Sequence, residues 1–415
     1  MDKKLWNLLK KEIERQEECL NLIPSENLID IETMLLVGSP LSNKYAEGYV
    51  GKRYYPGNKY VDEIESLAKK RALMAFKLDP NVWDVNVQPY SGSIANLAVY
   101  LAFLKPGDLI MGFDLFSGGH LTHGHIANYS GKLFRSIQYK INPKNEILDY
   151  KEIERLALKY RPKIIVSGTT SYPRKINFER IYKIAKKVNA YHLADISHIA
   201  GLVISNLHPS PFGFADIVTM TTHKTLKGPR GAVIFAKKEL MEKINKSVFP
   251  GLQGGPHVNI IAGICHAFGK SLKKEFLKYQ NQILRNAKSL ANNLKNLGFK
   301  LYTGGTDNHL MIIDLKPINL DGLKAERLLE EANIIANRNS LPKDASPFNP
   351  SGIRLGTPIV TARGLKEKEM KIIADFIYRI LIKKEKSEKV KNDVKNLLRK
   401  FPLDYKNFYL HNIEN

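Results

Sequence analysis

Short runs of apolar residues, rich in valine and isoleucine, recur along the first two thirds of the chain. They lie at 85–88, 109–113, 135–141, 163–167, 190–195, 217–221 and 232–236. Most are separated by segments long enough for a helix, which is the pattern of β-α units on a largely parallel sheet with helices on both faces. The last run follows the sixth through a Gly-Pro-Arg-Gly turn, which is too short for a helical crossover. We therefore expect seven strands, the last of which pairs antiparallel.

The segments on either side of these runs have a different pattern. Residues 2–20 carry apolar side chains at helical spacing, and residues 21–60 are dense in Gly, Pro, Asn and Tyr, which is typical of irregular structure. After a long helical stretch at roughly 270–297, the chain continues as a smaller α/β region with a final helix and a basic tail at 383–400, interpreted as a solvated helix face. The predicted domains are an N-terminal helical arm at 1–20, a large domain at 21–275 and a small C-terminal α/β domain at 276–415.

Composition indicates a folded globular protein with an unusual charge. Of the 415 residues, 43% are hydrophobic and 25% are charged, and 64 basic against 41 acidic residues give a formal net charge of +23. This charge raises the alternative of a nucleic-acid-binding protein. No interleaved basic-aromatic motif and no recognition-helix signature accompany it, so no specific nucleic acid is expected. The charge is interpreted instead as a surface that steers anionic ligands.

Cysteine usage and hydropathy narrow the class of protein further. Cys19 and Cys265 are far apart in sequence, which fits neither a disulfide framework nor a zinc motif. No run of roughly 18 apolar residues is present, and the sequence begins with a charged amphipathic segment rather than an apolar signal region. We expect a cytoplasmic protein that binds neither membranes nor a metal.

Polar residues that follow the first two apolar runs suit a phosphorylated, planar ligand. Ser91, Gly92 and Ser93 lie at a predicted helix start, where free N–H groups, the helix dipole and two hydroxyls can bind a phosphate. An ordinary serine cap is the alternative. Three histidines lie at 120, 123 and 125 without an acidic or cysteine ligand beside them, which favours a histidine over a flat ligand rather than a metal site.

The fifth and sixth runs are followed by an aspartate and a lysine. Asp195 ends one predicted strand and Lys224 follows the next. A buried carboxylate needs a cationic partner or strong donors, and a desolvated lysine becomes a nucleophilic amine. Together with a phosphate site they suit pyridoxal phosphate, which needs a Schiff-base lysine, an acid at its ring nitrogen and an anion site. An internal ion pair between Asp195 and Lys224 is the alternative.

These residues belong to motifs that resemble the serine hydroxymethyltransferase family along nearly the whole chain. The motifs are LIPSEN at 22–27, NKYAEGY at 43–49, GKRYY at 51–55, QPYSGS at 88–93, GHLTHG at 119–124, DISHIAGL at 195–202, TTHKTL at 221–226, PGLQGGP at 250–256 and SGIRLGT at 351–357. The resemblance implies an α/β, PLP-dependent transferase fold of the aspartate aminotransferase type, with a seven-stranded, mostly parallel large domain and a smaller C-terminal domain. It also implies a homodimer whose active sites are shared through an inter-subunit loop at 41–60.

The resemblance assigns a set of residues to pyridoxal phosphate. Lys224 would form the Schiff base, Asp195 would pair with the pyridine nitrogen, and His120 would stack on the ring; His223, directly before the lysine, is placed with the catalytic residues. The other cofactor-binding residues it implies are Ser91, Gly92 and Ser93 at the phosphate, His198 at the 3′-oxygen or substrate, Thr170 where many members have serine, and Tyr45, Gly254 and Gly255 from the partner subunit.

The resemblance likewise assigns the substrate residues. Arg354 would bind the amino-acid carboxylate with help from Ser25, and Glu47 would be the acid–base group near the serine hydroxyl, supplied with Tyr45 and Tyr55 by the other subunit. The residues implied at the pterin are Leu115, Gly119, Leu121, Ser346, Pro347 and Phe348. Phe116 and Ser117 stand where a histidine is common in the family, which leaves the identity of the pterin open.

The implied reaction converts serine and a reduced pterin into glycine and the 5,10-methylene pterin. The sequence leaves open whether the pterin is tetrahydrofolate or tetrahydromethanopterin, and whether the carbon leaves as formaldehyde or by direct displacement. The alternative within the same fold is a threonine or allo-threonine aldolase that needs no pterin.

Overall fold

The protein is described by a computed structural model that covers residues 2–342, 344 and 349–408. Contacts within the chain define two compact units. One unit comprises Glu32–Gln280, and the other comprises Met1–Ile31 together with Asn281–Asn415. The division into an arm, a large domain and a small domain stays a prediction.

A seven-stranded sheet forms the centre of the unit Glu32–Gln280. Its strands, in spatial order, are Trp83–Asn86, Ala232–Lys237, Ile217–Thr221, Tyr191–Asp195, Ile164–Gly168, Leu109–Phe113 and Arg135–Tyr139. Ala232–Lys237 runs antiparallel to both of its neighbours, whereas the next five strands are mutually parallel. The predicted seven strands and the antiparallel last strand are therefore confirmed.

The central strands Ile164–Gly168 and Ile217–Thr221 are buried along their whole length because helices cover both faces of the sheet. Ile164, Ile165 and Val166, which are consecutive, are each fully buried. The parallel register places Gly168 opposite Asp195, and Asp195 opposite Thr219. The carboxyl ends of these strands therefore lie side by side, which is where an open α/β sheet binds its ligand.

Two helices of this unit precede the first strand of the sheet, and the others lie between or after its strands. Their bounds are Ile31–Val37, Lys59–Ala75, Gly92–Phe103, Tyr129–Leu133, Tyr150–Tyr160, Phe178–Lys187, Ala200–Ile204, Lys238–Lys246 and Val258–Ser271. Phe178–Lys187 is amphipathic: it buries Phe178, Ile181, Ile184 and Ala185, which lie on one face at helical spacing. The stretch predicted as irregular contains short elements, among them a hairpin of Gly48–Tyr49 with Lys52–Arg53.

The other unit contains a four-stranded antiparallel sheet. Its strands, in spatial order, are Lys300–Leu301, Leu310–Asp314, Gly352–Gly356 and Asn337–Asn339. A short parallel pair joins Leu20–Asn21 to Ile334–Ile335. The helices are Lys3–Glu18, Lys274–Asn296, Gly322–Glu331, Pro358–Ala362, Glu367–Leu381 and Ser387–Leu398. The first residues of Lys274–Asn296 belong to the larger unit.

The basic tail forms a helix with a buried face as well as a solvated one. Within Ser387–Leu398, Val390, Val394 and Leu398 are buried in the apolar core of this unit. The N-terminal helix is joined to the same core region by Arg363, whose guanidinium donates to the carbonyl oxygens of Gln16 and Glu17. Among the residues with described positions, no helix is both long and apolar enough to cross a membrane.

Candidate active site

Asp195 lies at the carboxyl end of its strand and is 8% exposed. Its carboxylate accepts hydrogen bonds from Nε2 of His123 at 3.2 Å, from Nδ2 of Asn96 at 3.0 Å and from the backbone N–H of Ser197 at 3.0 Å. Burial alone would raise the pKa of Asp195, but these donors outweigh it and hold the pKa well below its usual range. Asp195 is therefore an ionised carboxylate at neutral pH, suited to a cationic nitrogen.

A chain of polar groups connects Asp195 to His120. Nδ2 of Asn96 also donates to Oγ1 of Thr122 at 2.8 Å, and Oγ1 of Thr122 lies 2.7 Å from Nδ1 of His120. The backbone N–H of Thr122 donates to the same Nδ1 at 3.2 Å. Because Nδ1 accepts these hydrogen bonds, the ring proton of a neutral His120 lies on Nε2.

His120 and His223 are both held in the neutral form. Burial, followed by the nearby His123, lowers the pKa of His120 to about 4, and the charge of Lys224 contributes. Burial and the charges of Lys224 and Arg230 lower the pKa of His223 to about 3. Within the described part of the chain, the buried Nδ1 of His223 has no hydrogen-bond partner. Neither histidine therefore carries a positive charge at this end of the sheet at neutral pH.

The turn that carries Lys224 is closed by its own hydrogen bonds. Oγ1 of Thr222 donates to the carbonyl of Pro229 at 2.6 Å, and the N–H of Gly228 donates back to the carbonyl of Thr222 at 2.8 Å. Oγ1 of Thr225 donates to the carbonyl of His198 at 3.0 Å, which ties this turn to the segment that follows Asp195. His198 itself is 2% exposed. Lys224 is therefore fixed at the strand end next to that of Asp195.

The N-terminus of Gly92–Phe103 lies against the same strand ends. Oγ of Ser91 accepts from the N–H of Ile94 at 3.4 Å and so caps this helix. A Cβ on Gly92 would lie 2.7 Å from Cγ2 of Thr221, so only glycine permits this approach. Ser91, Gly92 and Ser93 therefore present the positive end of a 12-residue helix beside Asp195 and Lys224.

The loop after Leu109–Phe113 brings three further predicted residues to this edge of the sheet. The N–H of Gly119 donates to the backbone carbonyl of Asp114 at 2.8 Å, and the N–H of Thr170 donates to the carbonyl of Gly118 at 2.8 Å. Leu115 is half-buried, while Leu121 is 42% exposed. The loop with His120 is thus fastened to the end of the neighbouring strand.

A second group of predicted residues gathers on an exposed face of the same unit. The rings of Tyr45 and Tyr55 are 4.9 Å apart, and both side chains are exposed. A Cβ on Gly254 would lie 3.0 Å from Oε1 of Glu47, and one on Gly255 would lie 3.2 Å from Cε1 of Tyr45. We call these five residues the tyrosine cluster.

Tyr90 connects the tyrosine cluster to the helix N-terminus formed by Ser91, Gly92 and Ser93. Its hydroxyl donates to the carbonyl of Gly255 at 2.6 Å, and it directly precedes Ser91 in the chain. Its ring stacks on that of His257 with 4.2 Å between the centroids. Every cluster residue was predicted for a site shared with a partner, and the fold assembles all of them in one place.

Arg354 and Ser25 belong to the other unit. Arg354 lies on Gly352–Gly356, is 7% exposed, and donates from Nε to Oδ1 of Asn337 at 3.2 Å. Burial lowers the pKa of Arg354 to about 10, which leaves it cationic at neutral pH. The N–H of Gly356 donates to the carbonyl of Leu22 at 2.7 Å, so the segment with Ser25 runs beside the end of this strand. The predicted pterin residues Ser346, Pro347 and Phe348 lie outside the described residues.

Sequence reasoning assigned no role to the groups that hold Asp195 and His120 in place. These are His123, Asn96, Thr122 and Ser197. Asn96 had a detectable signal, because it is a lone polar residue in an otherwise apolar helical face. His123 had a weaker one, as a histidine within a motif already attributed to the site.

A model of one protein family matches this chain, and its description is serine hydroxymethyltransferase. The match covers residues 1–377, which include every residue placed above. Enzymes of that family are one-carbon transferases that depend on pyridoxal phosphate. The side chains present fit this cofactor: an ionised buried carboxylate suits its ring nitrogen, Lys224 its aldehyde, and a helix N-terminus with two serines its phosphate.

We expect the ring of His120 to stay neutral, with its proton on Nε2, until the pH falls to about 4. The reason is its burial and the donors from Thr122 to Nδ1. NMR of the cofactor-free protein with labelled histidine reports the tautomer and the titration, and His120→Asn assigns the signal. Thr122→Val should redistribute the proton between the ring nitrogens. A ring that titrates near 6.5, the ordinary value, contradicts this expectation.

Proposed function

The chain belongs to the serine hydroxymethyltransferase family, and we propose that it transfers the hydroxymethyl carbon of serine to a reduced pterin, forming glycine and the 5,10-methylene pterin. The observation that carries this proposal is the meeting of Asp195, Lys224 and the N-terminus of Gly92–Phe103 at one edge of the sheet. An ionised acid, an amine and an anion site at adjoining strand ends correspond to the three needs of the cofactor.

The residues at the strand ends would hold the cofactor. Lys224 would hold it covalently through its amine, Asp195 would accept a hydrogen bond from its ring nitrogen, and Ser91 with its two neighbours would bind the phosphate. When bound, pyridoxal phosphate supplies an electron-accepting ring for the bond that breaks at the substrate α-carbon. His120 would pack against the ring, and because this histidine is neutral it would not oppose the cationic nitrogen that Asp195 favours. His223, Thr170 and His198 complete this side of the proposed site.

Arg354 would bind the carboxylate of the amino acid, with Ser25 beside it. The guanidinium fork matches a carboxylate in a two-point contact that a lysine cannot make. Burial disfavours the charged guanidinium, as its lowered pKa of about 10 indicates, and an anionic ligand offsets that cost. The contact of Arg354 with Asn337 fixes the side chain at Nε. These features support Arg354 as the residue that orients serine.

Glu47 would move a proton at the serine hydroxyl in the active site of a partner subunit. It is half-buried in the tyrosine cluster, where the exposed rings of Tyr45 and Tyr55 offer the kind of aromatic surface that another subunit covers. Gly254 and Gly255, proposed to reach the partner's phosphate, lie against the same residues. A homodimer with shared sites accounts for their common location.

The pterin would lie against the loop that carries His120. Gly119 and Leu115 are held in that loop, and Leu121 exposes an apolar side chain next to the proposed cofactor site. A flat aromatic ligand suits such a surface.

Lys224→Ala should abolish the covalent attachment of the cofactor together with turnover. The wild-type protein, reduced with borohydride and digested, should carry the cofactor on the peptide that contains residue 224, as read by mass spectrometry. The matched control is Lys227→Asn, since asparagine tolerates the positive φ of 65° at this position and should leave attachment intact. A Lys224→Ala protein that retains borohydride-stable cofactor contradicts the assignment.

Glu47→Gln should bind serine normally but lose at least about 100-fold in kcat, which is the usual scale for removing an acid–base group. The isosteric amide preserves shape and removes only the proton transfer. Serine binding is measured by isothermal titration and kcat by formation of the methylene pterin. The exposed Glu63→Gln serves as the control and should behave as wild type.

The same two variants show whether Glu47 acts in the partner's site. Mixed dimers of Lys224→Ala and Glu47→Gln contain one site with both native residues if the sites are shared, so activity should reappear on mixing. If Glu47 served the Lys224 of its own chain, every site in the mixture would lack one residue. Absence of recovery in verified heterodimers therefore excludes the shared site.

Serine cleavage should require a reduced pterin. Side-by-side assays with tetrahydrofolate and tetrahydromethanopterin, each at several concentrations, measure kcat/KM and identify the carrier. Cleavage of threonine and allo-threonine without any pterin is the control for aldolase chemistry. Good aldolase turnover combined with no pterin-dependent rate from serine would replace the transferase proposal by the aldolase alternative.

A further inference from the structure

Arg53 forms hydrogen bonds with the main chain on both sides of Glu47. Its Nη1 donates to the carbonyl oxygens of Ala46 at 2.9 Å and of Gly48 at 2.7 Å. The N–H of the next residue, Tyr54, donates to the carbonyl of Glu47 itself at 3.0 Å. Three successive carbonyls around Glu47 are therefore held by two adjacent residues, of which Arg53 ends the opposite strand of the hairpin and Tyr54 follows it.

The guanidinium of Arg53 is in turn fixed by a helix. Nε donates to Oδ1 of Asp62 at 2.8 Å and Nη2 to Oε2 of Glu65 at 2.5 Å, and both acids lie on Lys59–Ala75. The side chains of Arg53 and Glu65 are 4% and 3% exposed, so this ion pair is shielded from water. Only the planar fork of an arginine can reach two carboxylates and two carbonyls at once.

The same hydrogen-bond network extends to two segments of the proposed cofactor site, the one with Gly254 and the one with Ser91. Nε2 of Gln88 donates to the carbonyl of Gly48 at 3.0 Å and to Oε1 of Glu65 at 2.9 Å. The carbonyl of Gln88 accepts from Gln253 at 2.8 Å, and Oε1 of Gln253 accepts from the N–H of Tyr90 at 3.2 Å. Gln253 precedes Gly254, and Tyr90 precedes Ser91.

The backbone at Gly48, directly after Glu47, has a conformation and a close contact that only glycine allows. Gly48 has a φ of 93°, and a Cβ there would lie 2.2 Å from the carbonyl oxygen of Lys52. The direction in which the Glu47 side chain leaves the main chain is thus set by peptide groups that Arg53 and Gly48 hold. A shift of about 1 Å in a reacting group can cost about 100-fold in rate.

We propose that Arg53 is a positioning residue for Glu47: it clamps the peptide groups on both sides of Glu47 to the helix Lys59–Ala75, and thereby sets where the carboxylate meets the serine hydroxyl. This inference rests on the proposed proton transfer by Glu47. It assigns to Arg53 an effect on the chemical step, beyond any contribution to stability.

A double-mutant cycle of Arg53→Lys and Glu47→Gln tests this role. Arg53→Lys keeps the charge but loses the fork, so we expect kcat for serine and pterin to fall at least about 10-fold, while the KM for serine and the borohydride-stable cofactor change little. In the background of Glu47→Gln, Arg53→Lys should lower kcat no more than about twofold, because the placement of a side chain that transfers no proton has no effect on the rate.

Two further variants separate positioning from folding. Asp62→Asn removes one charge that holds the guanidinium and should give a smaller fall in kcat with the same behaviour in the cycle. Lys52→Ala, at the exposed neighbouring position, should leave kcat unchanged. The melting temperature of each holoenzyme is recorded alongside. Non-additivity between positions 53 and 47 supports the proposal whatever the melting temperatures are.

Three results would overturn the inference. Arg53→Lys could leave kcat unchanged, or it could lower kcat by the same factor with and without Glu47, which marks a purely structural role. In the third result, Glu47→Gln itself retains full turnover, which removes the proposed proton transfer and Arg53's positioning role with it. The single variants distinguish this third failure from the first two, because only there is Glu47→Gln active.

Discussion

The buried, ionised carboxylate of Asp195 is the constraint around which the larger unit is organised. Desolvation opposes its charge, and three donors from three different parts of the chain overcome that opposition. Asn96 comes from the helix Gly92–Phe103, whose N-terminus is the proposed phosphate site, His123 from the loop that carries His120, and Ser197 from the turn after the strand itself. Satisfying one carboxylate therefore also orients the helix and the loop beside it.

The limited number of hydrogen-bond donors and acceptors near Asp195 also accounts for the neutral form of His120 and His223. A second ionised group close by would need its own partners, and the two histidines avoid that need by remaining neutral. Asn96 serves both ends of the arrangement, since it donates to Asp195 and to Thr122, which in turn fixes the ring of His120. One amide thus couples the acid proposed for the ring nitrogen to the histidine proposed for the ring face.

The sequence revealed the elements whose cause is local and missed those whose cause is tertiary. Seven continuous apolar runs and one short turn predict the sheet and its antiparallel strand, because burial on both faces and turn length act along the chain. Asp195 and Lys224 were predictable since parallel strands end at one edge. Which residues donate to Asp195 was not predictable, because Asn96 and His123 are 99 and 72 residues away from it and their polar character alone does not identify their acceptor. The buried face of the tail helix was also missed, since Val390 and Val394 are sparse among lysines.

The way Glu47 is held differs from the way Asp195 is held, and the difference suits their proposed tasks. Asp195 must stay ionised, and hydrogen bonds to its carboxylate favour the charged form. A group that both takes and gives a proton is hindered by such bonds, because they stabilise one protonation state over the other. Arg53 binds the neighbouring carbonyls instead, which fixes the position of Glu47 without a bond to its carboxylate from that guanidinium. At Asp195 the same hydrogen bonds both fix the side chain and favour its ionised form. At Glu47 the hydrogen bonds from Arg53 fix the backbone and leave the protonation of the carboxylate to other groups.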